Sequence, residues 1–114
     1  DEAFSYAWAS SLLDQVIVEV EDGCLKDSKS IHWRVFRARV LSPILEGIDP
    51  VPLFELCREL GISNEATASN MVATVKRRFQ AELRGLIRGF VGNDAEVDDE
   101  IRELMKILGS SRAG

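Results

Sequence analysis

Residues 52–79 read PLFELCRELGISNEATASNMVATVKRRF, and no other stretch of the chain says as much about its fold. Apolar residues at the start recur at the spacing of one helix face: Leu53, Leu56 and Leu60. Gly61 follows, and glycine tolerates the positive φ that ends a helix abruptly. Ser63 or Asn64 can then cap a second helix that we predict to reach about Phe90. The stretch therefore predicts a short helix, a tight turn and a longer helix.

Two further residues of this stretch fit a helix-turn-helix motif. Cys57 is small at the point where the second helix would approach the first, and Ile62 can fill the space between the helices. The predicted apolar face of the longer helix comprises Ala68, Val72, Val75, Phe79, Leu83, Leu86 and Phe90. We place the helix-turn-helix at about residues 52–80.

The opposite face of the longer helix changes its chemistry along its length. Near the start its side chains are uncharged and can form hydrogen bonds: Ser63, Asn64, Thr67, Asn70 and Thr74. Further along they are cationic: Lys76, Arg77 and Arg78. This order is typical of a recognition helix whose N-terminal end enters the DNA major groove. The uncharged group would read base edges, with Asn70 suited to adenine, and the cationic group would hold phosphates.

Charge is unevenly distributed along the chain. Its 114 residues carry a net charge of −5, and a pI near 4.9 argues against indiscriminate binding to nucleic acids. Residues 64–88 nevertheless hold five basic and two acidic side chains, which is compatible with one basic face on an acidic body. The competing interpretation of the same face is a solvated helix surface that binds nothing.

The rest of the sequence predicts further helices. They run from Glu2 to about Glu21, from Ile31 to Pro43, from Val51 to Leu60, and from Ala95 to Leu108 as an acidic C-terminal helix at about residues 94–108. Asp22-Gly23 is a stop signal, and Pro43 kinks or ends its helix. That helix would bury Trp33, Phe36, Val40, Leu41 and Ile44. We predict an all-α fold of about five helices around the helix-turn-helix, in a single domain over residues 1–114.

The sequence contains no catalytic, metal-binding or cofactor-binding constellation. A single histidine, His32, excludes the usual zinc sites, and the pair Cys24 and Cys57 allows one disulfide or redox switch but no Cys-x-x-Cys clip. No apolar run approaches the ~20 residues that span a bilayer. We expect a monomer that is not an enzyme, needs no cofactor and does not insert into a membrane.

Other motifs recur in order along the chain. They are Phe4-Ser5-Tyr6-Ala7-Trp8-Ala9-Ser10-Ser11-Leu12-Leu13, the aromatic segment Phe36 to Gly47, the helix-turn-helix segment Leu53 to Ser63, the stretch Lys76 to Phe79 leading into Leu83-Arg84, and the acidic segment Ala95 to Ile101. With these motifs in this order, the chain resembles the C-terminal region 4 of bacterial RNA polymerase sigma factors, in particular an extracytoplasmic-function-like group. The resemblance extends from Phe4 to Leu108.

This resemblance implies a role in transcription initiation. The domain would bind the −35 promoter element of double-stranded DNA in the major groove and dock on the β flap of the RNA polymerase core. An anti-sigma factor would be able to cover the same surfaces. Two weak contacts add through linkage when they are tethered. A cytoplasmic location follows, and a first residue other than methionine, Asp1, fits a C-terminal fragment of a longer sigma factor.

The sequence departs from the family pattern at the recognition helix. Its turn, Asn64-Glu65-Ala66-Thr67, is one residue longer than usual, so two registers of the helix are open. Relatives often carry cations early in this helix, where this chain has uncharged residues: Ser69, Asn70, Ala73 and Thr74. The alternative function is a helical protein-interaction module without DNA binding, such as an anti-sigma target or a regulatory tail. A further hypothesis is that the acidic C-terminal helix folds over the basic face and damps DNA binding.

Overall fold

The computed structural model describes residues 2–89, 96 and 98–103, with side-chain exposure from residue 7 onward. Over these residues the chain is mostly helical and contains no β-strand. The helices are α1 (Glu2–Lys26), α2 (Ser30–Phe36), a π-helical segment (Arg37–Leu41), α3 (Ser42–Glu46), α4 (Leu53–Leu60) and α5 (Glu65–Arg88). The predicted all-α fold is confirmed.

Backbone contacts group the chain into two compact units. One unit is Val20–Arg78, and the other combines Asp1–Glu19 with Phe79–Gly114. Both α1 and α5 contribute residues to each unit. Of the predicted helix-turn-helix at about residues 52–80, residues 52–78 belong to the first unit, and Phe79 and Gln80 belong to the second.

Helix α1 is longer than its sequence pattern predicts. Its buried stripe comprises Ala9, Leu12, Leu13, Val16, Val20 and Cys24. The prediction that Asp22-Gly23 ends the helix is wrong, because the helix continues to Lys26. Burial of Cys24, which is 0% exposed, outweighs the roughly 1 kcal/mol that an interior glycine costs a helix. The chain then turns at Ser28, whose φ is 61°, and the Lys29 amide donates to the Cys24 carbonyl at 2.7 Å.

The disruption expected at Pro43 takes the form of a π-helical turn that begins before it. The Ser42 amide donates to the Arg37 carbonyl, in the wider pattern that adds one residue to a turn. Pro43 then lies in the first turn of α3, where its missing amide proton is not needed. The chain stays helical past Pro43, but the α-helical hydrogen-bond pattern is interrupted before this residue. α3 ends at Glu46 and is followed by Gly47, whose φ is 67°.

The π-helical turn also changes which side chains after it are buried. An extra residue in one turn rotates everything that follows relative to an uninterrupted α-helix. Ile44 is accordingly 39% exposed, so the prediction of a buried Ile44 is wrong. Trp33, Phe36 and Leu41 are buried as predicted, whereas Val40 is only partly buried.

The core beneath the helix-turn-helix joins α2, α4 and α5. Its buried members, here called the α4–α5 cluster, are Val35, Leu56, Cys57 and Ala68. Partly buried residues pack against it: Ala38, Val51, Leu53, Leu60, Ile62, Met71 and Val72. Cys57 of α4 and Ala68 of α5 are the small members of this cluster, and the larger Val35 and Leu56 complete it.

The turn between α4 and α5 has the predicted glycine geometry. Gly61 has φ 71°, a left-handed conformation that favours glycine over residues with a Cβ. The Ile62 amide donates to the Cys57 carbonyl at 2.9 Å, and the Ile62 side chain packs against the α4–α5 cluster. The start of α4 differs from the prediction, because the helix begins at Leu53 and not at Val51.

The second half of α5 is buried through larger side chains. Its predicted apolar face is buried at Phe79 and Leu83 and partly buried at Leu86, and Ile87, at 1% exposure, is an additional buried residue. Phe90 lies outside the described residues. Of the predicted helix Ala95–Leu108, residues 96 and 98–103 are described and are helical.

Candidate nucleic-acid interface

Asn64 fixes where the candidate recognition helix begins. Its Oδ1 accepts a hydrogen bond from the Thr67 amide at 2.8 Å, which is the geometry of a helix N-cap. The first helical residue is therefore Glu65. Of the two predicted caps, Asn64 makes the capping bond, and Ser63 is an exposed residue just before it.

The uncharged side chains of the outer face differ in their exposure and in their hydrogen bonds. Asn70 is exposed, whereas Thr67 and Thr74 are partly buried. The Thr74 hydroxyl donates to the Asn70 carbonyl at 3.0 Å, so its oxygen can accept but its proton is already used. The Asn70 side chain is therefore the best placed of these groups to offer both a donor and an acceptor to a base edge.

The three cationic candidates fall into two groups. Lys76 and Arg77 are exposed and, within the part of the chain that the structure describes, have no ion-pair partner. Arg78 instead donates from Nη2 to Oδ2 of Asp27 at 2.6 Å. This hydrogen bond raises the pKa of the Arg78 guanidinium. Sequence patterns miss the pair because its members are 51 residues apart.

The positions on α5 place these side chains around one outward arc. At about 100° per residue, Asn70, Thr74 and Arg77 fall within about 60° of one another. Lys76 and Arg78 lie on opposite flanks of this arc, about 200° apart when the angle is measured across it. A DNA major groove is about 12 Å wide, which admits one helix, and has a phosphate backbone along each wall. One helix can thus present an amide to the bases and a cation to each wall.

The outer face of the second half of α5 is partly neutralised. Arg84, which the helical spacing places on the same side as Arg77, forms an ion pair with Asp98 of the C-terminal helical segment. Asp99 of the same segment pairs with Arg102, three residues later. The acidic segment therefore contacts the basic face at Arg84, as the hypothesis of a damping helix requires.

Other features of the first unit are available for contacts with partners. A shallow cavity of about 240 Å³ is lined by residues of α2, the π-helical segment and α4, among them Arg34, Arg37 and Leu56. Large apolar side chains are exposed in and around α3 and α4: Ile44, Leu45, Ile48 and Phe54. Sequence spacing does not reveal this group, because it depends on the phase change at the π-helical turn.

Nothing in the described residues adds a metal or redox site. No group of three or more His, Cys, Asp or Glu side chains in this part of the chain is arranged to hold a metal ion. Cys24 and Cys57 are free, buried thiols, and burial raises the pKa of Cys24. Among these residues, each helix is too short or too polar to cross a lipid bilayer.

The chain matches no model of a known protein family, no curated protein and no solved structure. The helices themselves establish the fold class. The resemblance to region 4 of sigma factors therefore stands on the sequence motifs, and a function has to be argued from the local geometry of α4 and α5.

Proposed function

We propose that this chain is the DNA-binding domain of an RNA polymerase sigma factor, of the region 4 type. It would recognise a −35 promoter element, dock on the β flap of the polymerase core and direct transcription initiation in the cytoplasm. The observation that carries the proposal is the outer face of α5, where the exposed Asn70 amide is followed by the accessible cations Lys76 and Arg77. The turn at Gly61 and the cap at Asn64 position this face.

Base recognition would depend on Asn70. Its carboxamide can donate to N7 and accept from N6 of adenine, and such a bidentate contact discriminates by about 1–3 kcal/mol. Thr74 and Thr67 lie one turn to either side and would add acceptor contacts or apolar contacts to a thymine methyl. Asn64 Oδ1 already accepts the capping hydrogen bond, and the side-chain NH2 group of Asn64 can donate to DNA.

Phosphate binding would depend on Lys76 and Arg77. Both side chains are exposed and can neutralise phosphates without first losing a protein partner among the described residues. These contacts carry no sequence information, but they set orientation and produce a steep salt dependence. The net charge of −5 keeps this affinity modest, which suits a domain that acts together with a second tethered contact.

Docking on the polymerase is supported by the exposed apolar residues near α3. Ile44, Leu45 and Ile48 are 39%, 47% and 53% exposed and lie within a stretch of five residues. Exposed apolar groups that cluster in this way are typical of protein–protein contacts. An anti-sigma factor that covers them would compete with the polymerase.

Selection of duplexes from a randomised library tests the proposal, with the domain fused to a β-flap fragment. We expect enrichment of a motif of about 4–7 base pairs and a loss of about 1–3 kcal/mol for Asn70→Ala on the preferred site, with relaxed specificity. Ser69→Ala is the matched control, since Ser69 is exposed one position away on another side of the helix. Equal binding by wild type, Asn70→Ala and Arg77→Ala would exclude this interface.

The same exposed apolar residues favour a second candidate, a protein-interaction module without DNA binding. Salt separates the two functions. A duplex binder that neutralises several phosphates loses affinity steeply between about 50 and 200 mM salt, whereas a module that binds only protein shows no duplex binding at either concentration.

A further inference from the structure

Arg78 differs from its neighbours on α5 because its charge is already paired. Its Nη2 lies 2.6 Å from Oδ2 of Asp27, at the end of α1. Both side chains are accessible, with 31% of Arg78 and 55% of Asp27 exposed. A carboxylate oxygen in this position makes the charge-assisted contact that a phosphate oxygen would otherwise make with the same guanidinium.

Gly23 of α1 lies beside the Arg78 guanidinium. A Cβ atom on residue 23 would lie 3.4 Å from Nη1 of Arg78, so the guanidinium rests against α1 where no side chain stands. Asp27 is the first residue after α1, and its amide donates to the Gly23 carbonyl at 3.1 Å. The guanidinium thus has the bare backbone of α1 beside Nη1 and the carboxylate of the following turn at Nη2.

Arg78 and the nearby Lys29 influence two titratable groups close to the pair, His32 and Cys24. Burial lowers the pKa of His32, and the positive charges of Lys29 and Arg78 lower it further. Burial raises the pKa of the Cys24 thiol, and Arg78 and Lys29 oppose that rise. Lys29 and Arg78 therefore both act on His32 and Cys24. Asp27 is the carboxylate that pairs with Arg78.

The Arg78–Asp27 pair lies beside the candidate recognition face. Arg78 and Thr67 are within about 20° of each other on the helix, and Thr74 lies between them and Asn70. A helix that turns Asn70 toward the bases presents this flank to one phosphate backbone of the major groove. The Asp27 carboxylate is consequently next to the position where a phosphate would lie.

We propose that Asp27 is a resident counter-ion in a phosphate-binding position, and that a backbone phosphate of duplex DNA replaces it at Arg78. This inference rests on the proposed DNA-binding function. On binding, the Arg78–Asp27 pair opens, the guanidinium pairs with the phosphate, and the carboxylate returns to water and takes up a cation. The exchange lowers the affinity for every duplex alike, because the Arg78–Asp27 pair must be opened before the guanidinium can bind a phosphate.

The test is the salt dependence of duplex binding by the full chain and its Asp27→Asn variant. Asp27→Asn keeps the shape of the side chain but removes the carboxylate that competes with phosphate. We expect affinity for duplexes to rise roughly two- to fivefold, the range of an exposed ion pair. The slope of log K against log salt should become steeper by up to about 0.9, because no cation is taken up at residue 27.

Two controls separate this exchange from a general effect of charge. Asp22→Asn makes the same change of charge at an exposed position of α1 and should leave the salt slope near that of wild type. Arg78→Gln combined with Asp27→Asn completes a double-mutant cycle. The gain from Asp27→Asn should disappear in the Arg78→Gln background, which a purely structural ion pair would not require.

The outcomes distinguish this inference from the function it rests on. Equal gains for Asp27→Asn and Asp22→Asn, or a gain that persists without Arg78, overturn the counter-ion exchange alone. Absence of duplex binding by both wild type and Asp27→Asn overturns the exchange and the DNA-binding function together. A gain that is specific to Asp27→Asn and needs Arg78 supports both.

Discussion

The two halves of α5 use the same helix for different purposes. The first half, Glu65–Arg78, packs through the small residue Ala68 and through Val75, both 0% exposed. The second half, Phe79–Arg88, is buried through larger side chains: Phe79, Leu83 and Ile87. Large side chains contribute more apolar burial per residue than small ones do. The first half is suited to display a binding face, and the second half to stability.

Charge follows the same division. Lys76 and Arg77 have no ion-pair partner among the described residues, while Arg84 contacts Asp98. Arg78, at the boundary, is paired with Asp27. An accessible cation can bind phosphate at little cost, and a paired one must first leave its carboxylate. Substitutions that distinguish the two halves should therefore have their largest effect on the free energy of unfolding and smaller effects on DNA affinity.

The largest effect is expected for Leu83→Ala in the second half. Leu83 is 2% exposed, and truncating such a leucine costs about 2–5 kcal/mol of unfolding free energy through lost burial and a residual cavity. Chemical denaturation monitored by circular dichroism measures this loss. Leu86→Ala is the control, since Leu86 is only partly buried and should cost clearly less. Equal losses for the two variants would contradict the assignment of the buried face.

An intermediate effect is expected for Arg77→Ala in the first half. The variant removes one accessible cation, so it should weaken binding to all duplexes alike and flatten the slope of log K against log salt by about 0.9. Its thermal stability should stay close to that of wild type, because Arg77 is exposed. Gln80→Ala, an exposed position one turn further on, should change neither quantity. A wild-type salt slope in Arg77→Ala would remove this residue from the interface.

The smallest effect is expected for Asp98→Asn, which takes one partner from Arg84. If the acidic segment damps DNA binding, this variant should bind duplexes up to a few-fold more tightly. The expected gain is about 0.2–1 kcal/mol, which is typical of one exposed ion pair. Asp99→Asn is the matched control, because it makes the same change of charge but releases Arg102 within its own segment. Equal affinities for the two variants would contradict a specific role of the Arg84–Asp98 contact.

Local sequence signals correctly predicted where α4 ends and where α5 begins. Gly61 has the left-handed φ expected at the end of α4, and Asn64 caps α5 as one of the two proposed residues. Both features depend on residues within four positions of one another, so a sequence pattern contains all that is needed. The apolar spacing of α5 likewise identified Ala68, Val75, Phe79 and Leu83 as buried.

Signals of the same kind failed where a distant contact outweighed them. Asp22-Gly23 is a stop signal by composition, but α1 continues because Cys24 is buried in the core. The spacing from Trp33 to Ile44 predicts one buried face, but the π-helical turn at Arg37–Leu41 shifts the phase and leaves Ile44 exposed. A glycine inside a helix costs about 1 kcal/mol, so the burial of one core residue can outweigh this cost.

Periodicity, turn residues and capping thus specify the all-α class, the position of the turn and the outward arc of α5, because these are short-range properties of the backbone. Whether a cation is paired depends on residues that are distant in the sequence. Arg77 and Arg78 are adjacent and chemically identical in the sequence, yet Arg78 is paired with a carboxylate 51 residues away. Which of them is already paired depends on where the turn after α1 places Asp27 in three dimensions.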